Sequence, residues 1–143
     1  MNFIVARMED WDLAAKAVAD RLSPGSILAL SGPLGAGKTT FVQALARALG
    51  SKDKPRSPTF SLVRAYKTAH SAIKQLVHVD AYRIESEQDI LPLGLEEYLE
   101  DPATVMAIEW PEQISAWLAG QTHVIRMQIE PDKGSDVRRI RIA

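Results

Sequence analysis

The sequence predicts an α/β fold: a three-layer sandwich with a mainly parallel central sheet and an antiparallel hairpin. Three observations predict it. The runs ILALS (27–31) and TVMAIE (104–109) are short and almost continuously apolar, as strands buried on both faces of a parallel sheet are. Segments with the 3.6-residue period of helices lie between such runs. Finally, TFSLVRAY and IKQLVHVDAY are joined by the polar KTAHSA, which reads as two strands of a hairpin. At 143 residues the chain reads as one domain spanning 1–143, long enough to bury about two-thirds of its unfolded surface.

Each element has its own signal. Asp10 is placed to cap a helix whose apolar positions Trp11, Ala14, Ala15, Val18 and Leu22 keep the helical period. Ser23-Pro24-Gly25-Ser26 stops it and turns the chain. After the strand at 27–31 comes a glycine-rich loop, then a helix from about Lys38 with the buried stripe Phe41, Ala44, Leu45, Ala48 and Leu49 and a stop at Gly50. SKDKPRSP is polar and proline-broken, hence a loop, and the hairpin follows. ESEQDILPLGLEEYLEDP, with Gly94 and two prolines, reads as two short helices. Beyond the strand at 104–109, Pro111 opens a helix at a position where proline is tolerated. THVIRMQI and VRRIRI close the chain as strands, separated by the turn residues Pro131 to Gly134.

Composition narrows the function classes. Charged residues make up 24% and the net charge is −1, which argues against an independent binder of DNA or RNA. Arg126, Lys133, Arg138, Arg139 and Arg141 do gather near the C-terminus, and they read as the charges of a solvated edge strand. The absence of cysteine excludes disulfides, thiolate nucleophiles and Cys-based metal sites. No apolar run is long enough to cross a membrane and MNFIVARMED carries no signal-peptide core, so a cytoplasmic location is expected.

The sharpest signal is Gly32-Pro33-Leu34-Gly35-Ala36-Gly37-Lys38-Thr39, followed by Thr40. It matches G-x-x-x-x-G-K-[ST] throughout, between a predicted strand and a predicted helix. Glycines let the backbone wrap so that successive N–H groups point at phosphate oxygens. The helix adds its unpaired amides and the positive end of its dipole. Lys38 is expected to reach the β- and γ-phosphates and Thr39 to ligate Mg²⁺. The fold is therefore expected to be P-loop NTPase-like.

Magnesium needs an acid at a neighbouring strand tip, and two runs supply one: LVHVD ends in Asp80 and VMAIE in Glu109. Composition does not choose between them. Trp110 reads equally as a face for a base or as a core residue. His78, two residues from Asp80 and so on the same strand face, reads as a packed histidine rather than a proton carrier. Ser57-Pro58-Thr59 reads either as a turn or as a switch-like hydroxyl loop that senses the γ-phosphate.

Taken together and in order, GPLGAGKTT, SPTFSLV, HVDAYR and IEWPE resemble the TsaE family of small bacterial ATPases. The resemblance runs from about Ile27 to Pro111. It implies binding of ATP and Mg²⁺ and work with two partner proteins, TsaB and TsaD, in making threonylcarbamoyladenosine at position 37 of tRNAs that read ANN codons. The tRNA would be reached indirectly, with no DNA or membrane involved. It also implies that Gly32, Leu34, Gly35, Ala36, Gly37, Lys38, Thr39 and Thr40 hold the nucleotide and that Trp110 lies against the adenine. Thr39 and Glu109 would hold the metal, Asp80 would stand near the γ-phosphate, and Thr59 would belong to a loop closing on ATP. One departure stands out: Pro33 occupies the place where the family usually has an aspartate.

Three other readings compete. A P-loop small-molecule kinase generally needs an arginine-rich lid, whereas the segment 85–102 is acidic. A GTPase needs an N-K-x-D element, for which SKDK is a poor substitute. A binding module that never hydrolyses ATP is kept alive by Pro33. No arginine finger is identifiable, and since a finger is worth roughly 10³–10⁵ in rate, the isolated chain is expected to hydrolyse ATP slowly.

Overall fold

A computed structural model describes residues 1–53, 62–132 and 135–143. Seven strands form one sheet: β1 (Asn2–Val5), β2 (Ile27–Ser31), β3 (Val63–Lys67), β4 (Gln75–Asp80), β5 (Thr104–Glu109), β6 (Val124–Pro131) and β7 (Arg138–Ile142). Their order is β1-β7-β6-β2-β5-β4-β3. The central pairs β6–β2, β2–β5 and β5–β4 are parallel. The flanking pairs β1–β7, β6–β7 and β3–β4 are antiparallel, so both the parallel centre and the hairpin are present.

Strand alternation sorts the core onto two faces. Leu28, Leu30, Val105 and Ala107 face one way and pack with helices α1 (Met8–Ala19) and α2 (Lys38–Ala48) through Ala15, Val18, Phe41 and Leu45. Ile27, Ala29, Met106 and Ile108 face the other way. There they meet Ile84 and Ile90, helices α3 (Leu95–Leu99) and α4 (Ser115–Ala119), and the 3₁₀ turn Pro111–Ile114. Helix, sheet and helix make the three layers.

Three expectations change. The segment 85–102 folds as two 3₁₀ turns, Glu87–Asp89 and Leu91–Leu93, before the single short helix α3, because Pro92 and the left-handed Gly94 (φ 66°) interrupt any longer helix. The arginine-rich C-terminal strand is not an edge: β7 lies between β6 and β1. Its arginines alternate with buried Ile140 and Ile142, and Arg139 and Arg141 pair with Asp132 and Glu130. Four-residue β1, invisible as a pattern, takes the edge instead. Asp10 does not precede α1 but sits in its first turn. From there its carboxylate accepts hydrogen bonds from the Ala6 and Arg7 amides at 2.9 and 3.0 Å, capping the helix from inside. Lys133 and Thr59 lie outside the described residues.

Candidate functional site

Strand β2 delivers the glycine-rich loop to the C-terminal edge of the sheet, and α2 leaves from it at Lys38. The loop's tip is a tight turn, with the Ala36 amide donating to the Pro33 carbonyl at 3.1 Å. Gly35 sits at φ 79°, as the third position of a type II turn requires. Proline thus suits position 33, which supplies a carbonyl to the turn. At the helix start Gly37 is left-handed (φ 107°), and a side chain there would run into the buried indole of Trp11.

Lys38 is 4% exposed. Its Nζ donates to the Gly32 carbonyl and lies 3.3 Å from the centroid of the Trp110 ring, a cation–π contact. Burial lowers its pKa from the ordinary lysine value, opposed by the nearby carboxylates of Glu109, Glu112 and Asp80.

The two acids offered by the sequence stand side by side, because Asp80 and Glu109 are register partners on β4 and β5. They are not equivalent. Glu109 is 3% exposed and receives the Thr39 hydroxyl at 2.9 and 3.0 Å on its two oxygens. Asp80 is half-buried, its Oδ1 accepting the Tyr82 amide at 3.1 Å, and so it faces the site without touching Thr39. Hydroxyl and carboxylate oxygens are the donors that Mg²⁺ takes, commonly with one carboxylate, waters and substrate phosphates completing the shell. The residues present therefore fit that ion.

Two cavities flank the loop, and Gly35, Gly37 and Thr40 line both. One, of about 360 Å³, is lined further by Lys38, Thr39, Asp80, Tyr82, Glu109 and Trp110. The other, of about 590 Å³, is bounded by Arg7, Trp11 and Arg138. Trp110 thus stands with Lys38 and the acids, its ring also 5.0 Å from that of Tyr82, and not at the larger cavity. Its backbone is left-handed (φ 59°), uncommon for a bulky residue and typical of functional turns.

Two residues read from sequence only as a strand charge and a packed histidine contribute to the site. Arg138 Nε donates to the Ala36 carbonyl at 3.1 Å, bracing the loop from 102 residues away. His78, a packed histidine as expected, is fully buried, but its Nε2 lies 2.5 Å from Glu109 Oε2. Only the placement of strands brings these groups together.

Comparison with known proteins identifies the family and the fold. The family model "Threonylcarbamoyl adenosine biosynthesis protein TsaE" matches residues 5–140. The tRNA threonylcarbamoyladenosine biosynthesis protein TsaE of Bacillus subtilis is 36% identical over 131 residues, covering 92% of this chain and 77% of that protein. Its counterpart in Rickettsia bellii is 44% identical over 101 residues, 70% of this chain and 67% of that protein. The crystal structure of Bacillus subtilis YdiB superposes with a TM-score of 0.69 at 28% identity, covering 98% of this chain and 82% of that one. A family match across almost the whole chain, on a sheet that brings its loop and its acid together, makes this protein a member of the TsaE family.

Proposed function

We propose that this chain is a Mg²⁺-dependent ATPase that supports threonylcarbamoylation of adenosine 37 in tRNAs reading ANN codons, together with TsaB and TsaD. The observation that carries the reading is the Thr39 hydroxyl resting on Glu109, 70 residues away in sequence. Around it lies a glycine loop with a buried lysine. The family's name supplies the pathway.

The loop amides and the α2 N-terminus hold the phosphates, and Lys38 turns from the Gly32 carbonyl and Trp110 toward them. Gly32, Leu34, Gly35, Ala36, Gly37 and Thr40 complete the cradle. Thr39 and Glu109 would hold Mg²⁺, which would supply positive charge beside the phosphates. Asp80 orients the attacking water or a water of the metal's shell. Thr59 is proposed for the closing loop on the strength of the resemblance. The base is placed in the larger cavity between Trp11, Arg7 and Arg138, with stacking on Trp110, which lines the smaller cavity beside the acids, as the alternative.

The test is multi-turnover formation of threonylcarbamoyladenosine on tRNA by the purified partner proteins, with the wild-type chain, without it, and with Lys38→Ala. Turnover only with wild type is expected. Equal turnover in all three would overturn the reading.

A further inference from the structure

His78 is buried at 0% exposure, and its Nδ1 has no hydrogen-bond partner among the described residues. An imidazole held in a core with one nitrogen unpaired carries a desolvation cost that an apolar side chain would avoid. What offsets it is a single contact, Nε2 to Glu109 Oε2 at 2.5 Å. The sheet prepares that contact: the register partner of His78 on β5 is Ala107, whose methyl group leaves room for the ring to reach Glu109 two residues on. Glu109 Oε2 receives both His78 and Thr39, whereas Oε1 receives the Thr39 hydroxyl alone.

We propose that His78 is a positioning residue for the metal site. It donates Nε2–H to Oε2, fixes the rotation of the Glu109 carboxylate, and leaves Oε1 as the oxygen directed to Mg²⁺. Residues that orient a metal ligand in this way are commonly worth about 10–100-fold in metal affinity. This inference rests on reading Thr39 and Glu109 as the protein ligands of the metal.

Two variants of similar polarity separate positioning from packing. In His78→Gln the amide nitrogen reaches the place of Nε2, and in His78→Asn it stops short. Binding of the fluorescent analogue mant-ATP to the full chain is titrated with Mg²⁺, and measured separately in EDTA. His78→Asn is expected to raise the half-saturating Mg²⁺ by about 10–100-fold and His78→Gln by no more than about threefold. Affinity in EDTA should be the same in all three proteins, because the phosphate cradle does not touch His78. Equal half-saturation in the two variants, whether raised or unchanged, would overturn the positioning role. Absence of any Mg²⁺ effect on the wild type would overturn the metal reading itself, and the role of His78 with it. A measurement on the unaltered chain stands beside these: the His78 Nε2–H proton should give a hydrogen-bonded NMR resonance. It should shift on adding Mg²⁺ to the nucleotide complex. A resonance that is missing or unmoved would also overturn the proposal.

Discussion

Replacing Gly37 by alanine tests how the loop is held. The residue sits at φ 107°, and a Cβ there would lie 2.7 Å from Trp11 Cζ2, well inside van der Waals contact. Left-handed backbone costs a non-glycine residue about 1–2 kcal/mol, and overpacking a filled site about 1–3 kcal/mol. The sum is about 2–5 kcal/mol, a large share of a typical domain's stability of about 5–15 kcal/mol. At about 3–4 °C per kcal/mol for a chain of this size, Gly37→Ala should lower Tm by about 6–20 °C. Trp11→Ala alone should cost about 3–5 kcal/mol through the cavity it leaves. In the double variant the new methyl group has space, so only the backbone strain persists. The two effects should then fall short of their sum by about 1–3 kcal/mol. The assay is thermal and urea unfolding of all four proteins, followed by circular dichroism. Additivity within about 0.5 kcal/mol would refute the argument that Trp11 dictates glycine at this position.

Three further outcomes follow from the same geometry. Trp110→Leu removes a desolvated cation–π contact worth about 2 kcal/mol that Lys38 gives up when it turns to the phosphates, so ADP affinity should not fall; a loss beyond about tenfold would put the base on Trp110. Arg138→Ala deletes the hydrogen bond to the Ala36 carbonyl and should weaken ADP binding by about 2–10-fold, the worth of one such bond, without altering its Mg²⁺ dependence; unchanged calorimetric affinity would refute the bracing role. The Ala6 and Arg7 amides donating to Asp10 hold its carboxyl below the usual carboxylate range, beyond a smaller opposing effect of burial and with slight help from the Arg7 charge. Asp10→Ala should therefore lower Tm at neutral pH. That deficit should fade as pH falls through the depressed value, where the wild-type carboxyl is protonated too; a deficit that grew toward acid would contradict the assignment.

What the sequence made legible was local. Ile27–Ser31, the glycine loop and the start at Lys38 lie consecutively, so spacing alone carried strand, turn and helix to where they stand. The hairpin and β5 were readable for the same reason, as uniform runs bounded by polar turns. Strand β1 was not, because four residues with the pattern exposed, half-buried, exposed, buried offer too little period to recognise, and its partner β7 is at the far end of the chain. That missing partner is why β7 was expected at the edge. In the site, both Asp80 and Glu109 could be named but not ranked, since their difference lies in whom they touch: Thr39 and His78 in one case, the Tyr82 amide in the other. Trp11 was legible only as a helix core position and Arg138 only as a strand charge, because each acts on the loop through a contact that periodicity does not encode.

The register that sets Asp80 beside Glu109, and Glu109 beside Leu30, has a consequence for the order in which the protein matures. The phosphate cradle is built on one strand, one turn and one helix that follow each other directly, braced from β7 by Arg138. The acid reaches Thr39 only after β5 has docked on β2, across the long loop closure that slows non-local pairing. Both sheet neighbours of β2, β5 and β6, lie in the second half of the chain, so the loop gains its support and its metal-sensing acid in the same event. Magnesium dependence of nucleotide binding is thus a mark of the completed sheet. Followed during refolding, it should appear together with the cooperative phase in which the sheet forms.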